Sequence, residues 1–485
     1  MRRRPDVHLA HAPRNPARAG RLAHLLASAL LAAAALPSIA LAQPAAPPVD
    51  AHGASAPTAA TAGPAAAPAS TPPAGDASGP TLDLPPAPPP ASTGVPTYDK
   101  PDATPNDRLS DVSGTKTMVI GSNTVVGGYA EIHYNYSRPS GGPSESTVDI
   151  HRLVLMVGHS FNDWIRFYTE LEVEHAYASS DTDDPGEVEV EQAYLDFDVV
   201  KDALTIRTGA VLAPFGLINQ RHEPPLFNSV ERPLVDRVII PTTWREGAVG
   251  IYGQPTSWLR YQVYGMTTFN PMDFSAAKGI RGGRQHVAEA RAKGFSVIGR
   301  LELEPTLGLV IGASGMYGKT GPNAGALYDE LGARLHLDVP LTGFDVDFRW
   351  LFHGLEARAE VASFFVGDTA GLRTARNAEG DVIGPDTGKQ TLGAYGEVAY
   401  DVLHPAKTEQ ELALFVRGSY ANTMQQVSGR ARTADDDANR ISEWLIGAAY
   451  RPIQQVVVKV DVGRQYRGGD GLDATLVDVG VGTMF

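Results

Sequence analysis

From Thr115 onward the chain alternates apolar and polar side chains over segments of ten to twelve residues. In Trp164–Glu174, Ile165, Phe167, Leu171 and Val173 take one parity, and Arg166, Glu170, Glu172 and Glu174 take the other. Phe295–Glu304 sets Phe295, Val297, Leu301 and Leu303 against Ser296, Arg300, Glu302 and Glu304. In Val126–Tyr136 the polar parity holds Glu131, His133 and Asn135. Successive side chains of a strand point to opposite faces, so each segment has one apolar and one wet face.

Two architectures accept such segments: a soluble β-sandwich, or a membrane barrel with lipid outside and water inside. The segment length matches a tilted strand that crosses a bilayer. The connections alternate short and long, as barrel turns and barrel loops do. The chain also ends in a strand, with Val477, Val479, Val481, Thr483 and the terminal Phe485 on one face. A barrel must pair its last strand with its first to leave no open edge. The aromatic ending resembles the C-terminal signature read by the outer-membrane assembly machinery. The fold expected is therefore all-β, a transmembrane antiparallel β-barrel.

Short turns are expected at Phe161, Val200, Gln254, Glu304, Pro340–Gly343, His404 and Pro452. Long loops are expected at Ser137–Thr147, Ser179–Gly186, Leu212–Arg245, Asn270–Lys293, Lys319–Leu327, Gly367–Lys389, Asn422–Arg440 and Arg467–Ala474. Seven turns and eight loops give sixteen strands, with both ends of the barrel chain on the periplasmic side. Phe344–Val366 changes phase at Gly354, which reads as one strand with a β-bulge.

The region ahead of the barrel has a different composition. Arg2, Arg3, Arg4, Arg14, Arg18 and Arg21 precede the apolar run Leu25–Leu36, and Ala40-Leu41-Ala42 fits a cleavage site, so 1–42 is expected to be a signal peptide. Residues 43–113 are rich in Ala, Pro, Gly, Ser and Thr and read as an extended, disordered periplasmic linker. Its possible roles are an inert spacer or a contact to peptidoglycan. Residues 114–485 form the barrel domain. No later stretch reaches ~18 consecutive apolar residues, so no membrane helix is expected. The absence of Cys excludes disulfides, and a formal charge of −14 argues against nucleic acid as a partner.

Leu212–Arg245 follows neither the strand nor the helix period. It carries Pro214, Pro224, Pro225, Pro233 and Pro241 together with Phe215, Leu217, Ile218, Leu226, Phe227, Leu234, Val238, Ile239 and Ile240. So long an aperiodic loop with so many apolar residues must pack against something. It is expected to fold inward and narrow the pore as the third extracellular loop. Arg221, Arg232, Arg237 and Arg245 exceed Glu223, Glu231 and Asp236 by one charge there. On the barrel wall, parity turns Arg207, Arg260, Arg300, Arg334, Arg349, Arg358, Arg417 and Lys459 inward. Guanidinium groups in a pore favour anions, and their donor fork suits phosphate. Glu131, Glu170, Glu172, Glu174, Glu302, Glu356, Glu360 and Glu397 share that face, so a charge-balanced lumen is the competing expectation.

Four stretches resemble the phosphate-selective porin O and P family. They are Gly209–Gly216, Trp244–Gly250, Phe415-Val-Arg417, and Tyr450-Arg-Pro452 followed by Val456–Lys459. The resemblance spans about Thr115 to Phe485. It implies a sixteen-stranded outer-membrane porin, usually a homotrimer, whose third loop enters the lumen and whose arginines pass phosphate. The expected function is passive diffusion of small solutes with a modest preference for anions. A general or cation-preferring porin and a structural, wall-tethered barrel are the alternatives. His133, His151, His159, His175, His336 and His353 form no recognisable catalytic or metal motif in sequence, so no enzyme, cofactor or metal is expected. Asp181, Asp183 and Asp184, like Asp435, Asp436 and Asp437, read as Ca²⁺ ligands or solvated turns.

Overall fold

A computed structural model describes residues 118–120, 123–176, 186–321, 326–469 and 471–485. The expected signal peptide, the linker, and Asp181, Asp183 and Asp184 lie outside the described residues. The barrel opens with β1 (Thr124–Pro139), β2 (Glu145–Ser160), β3 (Ile165–Glu174), β4 (Glu187–Val200) and β5 (Leu204–Leu212). It continues through β6 (Arg245–Thr256), β7 (Leu259–Thr267), β8 (Phe295–Thr306), β9 (Leu309–Lys319) and β10 (Pro340–Phe352). β11 (Leu355–Val366), β12 (Gln390–Asp401), β13 (Glu411–Gln426), β14 (Arg440–Ile453), β15 (Val456–Arg467) and β16 (Ala474–Met484) complete it. Each strand pairs antiparallel with the next, and β16 closes on β1 through Val477↔Tyr136, Val479↔Tyr134 and Val481↔Ile132. A short strand, Met118–Ile120, adds to the start of β1.

The strand count matches the expectation, but two assignments within it were wrong and cancel. Phe344–Val366 is not one bulged strand. Phe352 pairs with Leu355 across a two-residue turn, in which His353 and Gly354 have φ of 50° and 80°. Left-handed backbone at both central residues suits the right-handed twist of a hairpin. The phase change at Gly354 is therefore a chain reversal. Pro340–Gly343, expected as a turn, is the start of β10, paired with β9. Thr320–Val339 becomes one long connection, which contains the small hairpin Leu327–Tyr328/Arg334–Leu335.

The outward parity is apolar around the barrel. Exposed side chains include Val148, Leu155, Leu171, Val190, Ile206, Val249, Val297, Leu301, Val346, Val416, Ile446, Val460 and Val481. Exposed aromatics gather at both rims. Trp164, Trp258, Phe352 and Tyr400 lie toward the short turns, and Tyr317, Phe344, Trp444 and Tyr466 toward the long loops. An apolar band between two aromatic girdles is a lipid-facing surface. No water can satisfy backbone groups inside that band, so closure from β16 to β1 is obligatory.

The last residue extends this closure. Phe485 and Gly128 exchange backbone hydrogen bonds of 2.9 and 3.0 Å, and a Cβ at Gly128 would lie 2.9 Å from the Phe485 ring. Deleting Phe485 should slow assembly into the heat-modifiable barrel, followed by gel shift over time. Assembly at the full-length rate would show that the seam closes without it.

Candidate functional site

The connection Leu212–Arg245 enters the barrel and crosses its lumen, as expected. Its neck stays paired: Leu212 faces Arg245 in the ladder, and the Ala213 N–H donates to the Trp244 carbonyl at 2.8 Å. The Asn219 amide donates to the carbonyls of Ala213 (2.8 Å) and Trp244 (3.1 Å), and its oxygen accepts from the Trp244 N–H (2.8 Å). One side chain thereby fixes both edges of the neck.

Beyond the neck the loop packs by apolar burial. Phe215, Leu217, Ile218, Leu234, Val235, Ile239, Ile240 and Trp244 join wall residues such as Tyr129, Tyr264, Ile298, Phe364 and Tyr395 in one buried cluster. Phe215 stacks on Phe364 of β11 with ring centroids 5.0 Å apart, an arrangement that contributes roughly 0.5–1.5 kcal/mol beyond area burial. The helical turn Val235–Ile239 reaches the wall formed by β11, β12 and β13. Gly393 of β12 permits that approach, because a Cβ there would lie 2.6 Å from Ile239 and 3.0 Å from Val235.

The middle of the loop has little regular structure, so its carbonyls need donors from elsewhere. The far wall supplies them. Arg358 of β11 donates to the Leu226 carbonyl at 2.8 Å, and Arg451 of β14 to the Pro225 carbonyl at 3.0 Å. Lys459 of β15 donates to the Ser229 carbonyl at 2.9 Å and sits 3.6 Å over the Phe227 ring. Arg417 of β13 bonds the Ser229 hydroxyl and donates to the Glu231 carbonyl at 3.2 Å. The loop answers with its own donors. Val230 N–H reaches Asp461 at 2.7 Å, and Asn228 reaches Glu397 at 2.9 Å.

These contacts sort the cations anticipated from sequence. Arg358, Arg417 and Lys459 face inward and clamp the loop. Arg207 faces inward, pairs with Asp196 at 2.7 and 2.9 Å, and lies between the rings of Tyr194 and Tyr252. Arg300 is buried against Asp347 at 2.6 and 3.0 Å and Glu302 at 3.1 Å. Arg260 and Arg349 face inward near the short-turn rim, paired with Glu302 (3.0 Å) and Glu356 (2.6 Å). Arg334 departs from the expectation. It is exposed in the hairpin of the connection between β9 and β10, so strand parity does not apply to it. Within the loop, Arg232 and Arg245 are buried, and Arg245 binds Glu189 of β4 at 2.6 Å. Arg221 and Arg237 remain open to solvent on opposite sides of the loop, paired with Glu302 (3.0 Å) and Glu443 (3.2 Å).

On the long-loop side of the constriction lies a cavity of about 180 Å³, lined by Glu131, His133, His151, Arg152, Glu231, Arg232, Arg237 and Arg281 among others. Burial pushes the Glu223 carboxyl up to about 8. Glu231 of the same loop is partly buried, yet the hydrogen bond from His133 and the charge of Arg237 hold it well below the usual carboxylate range.

Sequence spacing left several groups out. Asn219, Asn228 and His222 sit in the aperiodic loop, where no rule of parity assigns a direction. Glu191 stands at a β-bulge: Glu170 pairs with Gln192 and Leu171 with Val190, so Glu191 is the extra residue and turns inward beside Gln192. The slip in apolar spacing from Val190 to Ala193 is the trace it leaves in sequence.

The clamp can be tested directly. Lys459→Met should lower the temperature at which the folded gel band is lost, because the Ser229 carbonyl is left without this donor, at a cost of about 1–3 kcal/mol. An unchanged transition would mean that the contact carries no stability.

No family model matches the chain. A protein of Aquifex aeolicus (strain VF5), described as "Uncharacterized protein", is 31% identical over 367 residues, covering 73% of this chain and 78% of that one. Among solved structures, Salmonella typhi OmpF in complex with daunomycin superposes with a TM-score of 0.51 at 12% identity, over 76% of this chain and all of that one. The outer membrane channel DcaP of Acinetobacter baumannii gives 0.48 at 12% identity, over 76% of this chain and 99% of that one. At 12% identity the likeness to OmpF is one of fold. The fold is that of an outer-membrane porin barrel, and by sequence the chain belongs to the family of the Aquifex aeolicus protein.

Proposed function

We propose that this protein is an outer-membrane porin for passive diffusion of small solutes, with a modest preference for anions such as phosphate. The observation that carries the preference is which charges reach solvent near the short-turn rim. Side-chain exposure is 46% for Arg221 and 40% for Arg349, against 6% for their partner Glu302 and 12% for Glu356. Arg260 is 24% exposed, as is Glu304, which lies 3.9 Å from it. At this mouth the guanidinium groups of Arg221, Arg260 and Arg349 stand over Glu302 and Glu356, and the exposed acids opposing them are Glu304 and Glu411, the latter 41% exposed over Arg451 at 9%. Each guanidinium is already paired, so each is a weak anion site, and weak successive sites are what conduction requires. The resemblance to the phosphate-selective porins supports the same reading, together with assembly as a homotrimer in the Gram-negative outer membrane. A linker in the periplasm that reaches peptidoglycan belongs to this proposal as well.

The preference is measured as the zero-current potential of the reconstituted channel in a KCl gradient. Arg221→Gln combined with Arg349→Gln removes two exposed cations. Glu302 keeps Arg260 and Arg300, and Glu356 keeps Arg358. The potential should move toward cation preference while the barrel still folds. A wild-type channel that already prefers cations, or a potential that does not move, would leave a general diffusion porin. A folded barrel without conductance would make it a structural barrel.

A further inference from the structure

Beneath the constriction loop, on the β3–β4 wall, lies a group of side chains that the pore reading does not use. Glu170 of β3, Glu191 of β4 and His222 of the loop bring ligand atoms within 4.8 Å of one another. Glu191 is 0% and Glu170 1% exposed. Neither oxygen of Glu191 accepts a hydrogen bond, nor does Oε1 of Glu170. A buried carboxylate oxygen without a partner is costly, so two such side chains aimed at one point call for a positive occupant.

The surrounding groups are arranged as they are around ligands. The Gln192 amide holds Glu170 Oε2 at 2.6 Å and leaves Oε1 free. His222 Nδ1 lies 3.0 Å from the Asn219 carbonyl, which can only accept, so Nδ1 carries the proton. Nε2 is then the nitrogen turned to the carboxylates, 3.1 Å from Glu191 Oε1 and 2.9 Å from the Tyr129 hydroxyl, and in the neutral ring its lone pair points there. This is the tautomer of a metal-binding histidine, with its other nitrogen fixed by a carbonyl. In the metal-bound form Nε2 and the Glu191 carboxylate oxygen share the ion in place of a proton. The β-bulge at Glu191 sets that side chain and Gln192 on the same inner face.

We propose that Glu170, Glu191 and His222 bind a divalent first-row cation that fastens the constriction loop to the barrel wall. Two carboxylates and one imidazole suit Mn²⁺ or Zn²⁺. A tetrahedral ion at roughly 2.0–2.2 Å from each ligand sets the ligand atoms about 3.3–3.6 Å apart, so atoms now within 4.8 Å of one another close by up to about an ångström when the ion binds. Because two ligands come from the wall and one from the loop, the bound ion joins segments that are otherwise held by packing and the carbonyl clamp.

The test is ion retention by the full chain, folded in detergent with Zn²⁺ or Mn²⁺ and then gel-filtered into chelator-treated buffer. About one ion per chain should remain by elemental analysis. Glu191→Gln and His222→Gln should each weaken retention by about tenfold or more. Asp149→Asn with His175→Gln, which alters a second histidine–carboxylate group on the long-loop side, should leave it unchanged. No retained ion in the wild type, retention that survives both single variants, or loss in the Asp149/His175 variant would overturn the proposal. A readout independent of variant folding is pulsed electron paramagnetic resonance of the Mn²⁺-loaded wild type. Coupling to one imidazole supports the site, and coupling to two or to none overturns it. Retention is read without ion flow, so its failure is separate from failure of the porin reading.

Discussion

Every backbone amide in the lipid band must be paired within the protein, and this constraint orders the whole structure. It forces sixteen strands into a ring, pairs β16 with β1, and carries the ladder to the terminal carbonyl of Phe485. Once the ring closes, strand parity does the rest. Valine, leucine and isoleucine turn to lipid, and charged and aromatic side chains are enclosed together. The lumen is therefore the one place where the long connection after β5 can bury its apolar residues.

The same accounting of backbone groups holds inside the lumen. A Pro-rich segment without internal ladder bonds presents bare carbonyls, and wall cations satisfy them. Arg358, Arg451, Arg417 and Lys459 all end on carbonyls between Pro225 and Glu231. Arg358, Arg417 and Lys459 belong to the inward cations that suggest an anion path in sequence, yet they, with Arg451, act first as donors to the protein's own loop. The cations that meet solvent are others: Arg221, Arg260 and Arg349 toward the short turns and Arg237 on the opposite side of the loop. Charge counted along the chain thus differs from charge presented to a solute.

Two β-bulges shape the polar interior near the loop. One makes His151 the extra residue between Ile150 and Arg152, and the other does the same for Glu191. Each sets two successive side chains, His151 with Arg152 and Glu191 with Gln192, on the inner face, where simple alternation would direct one of the two to lipid. Both lie beside histidine–carboxylate groups, so the irregularities of the sheet coincide with its concentrated polar chemistry.

The total of sixteen strands came out right only through two cancelling errors; the sequence by itself determined the barrel, the facing of most named strand residues, and the identity of the loop that enters the lumen. All of these follow from a period of two and from breaks in it, which are local properties. It misread Gly354, because a phase change looks alike whether it marks a bulge or a reversal. Only the pairing of Phe352 with Leu355 distinguishes them. It also misplaced Arg334, because parity was carried past the end of a strand. The partners of Arg417 and Lys459, and the meeting of His222 with Glu170 and Glu191, were decided by tertiary structure alone. They depend on where an aperiodic loop lands after crossing the lumen, and no local period encodes a contact between residues so far apart in the chain.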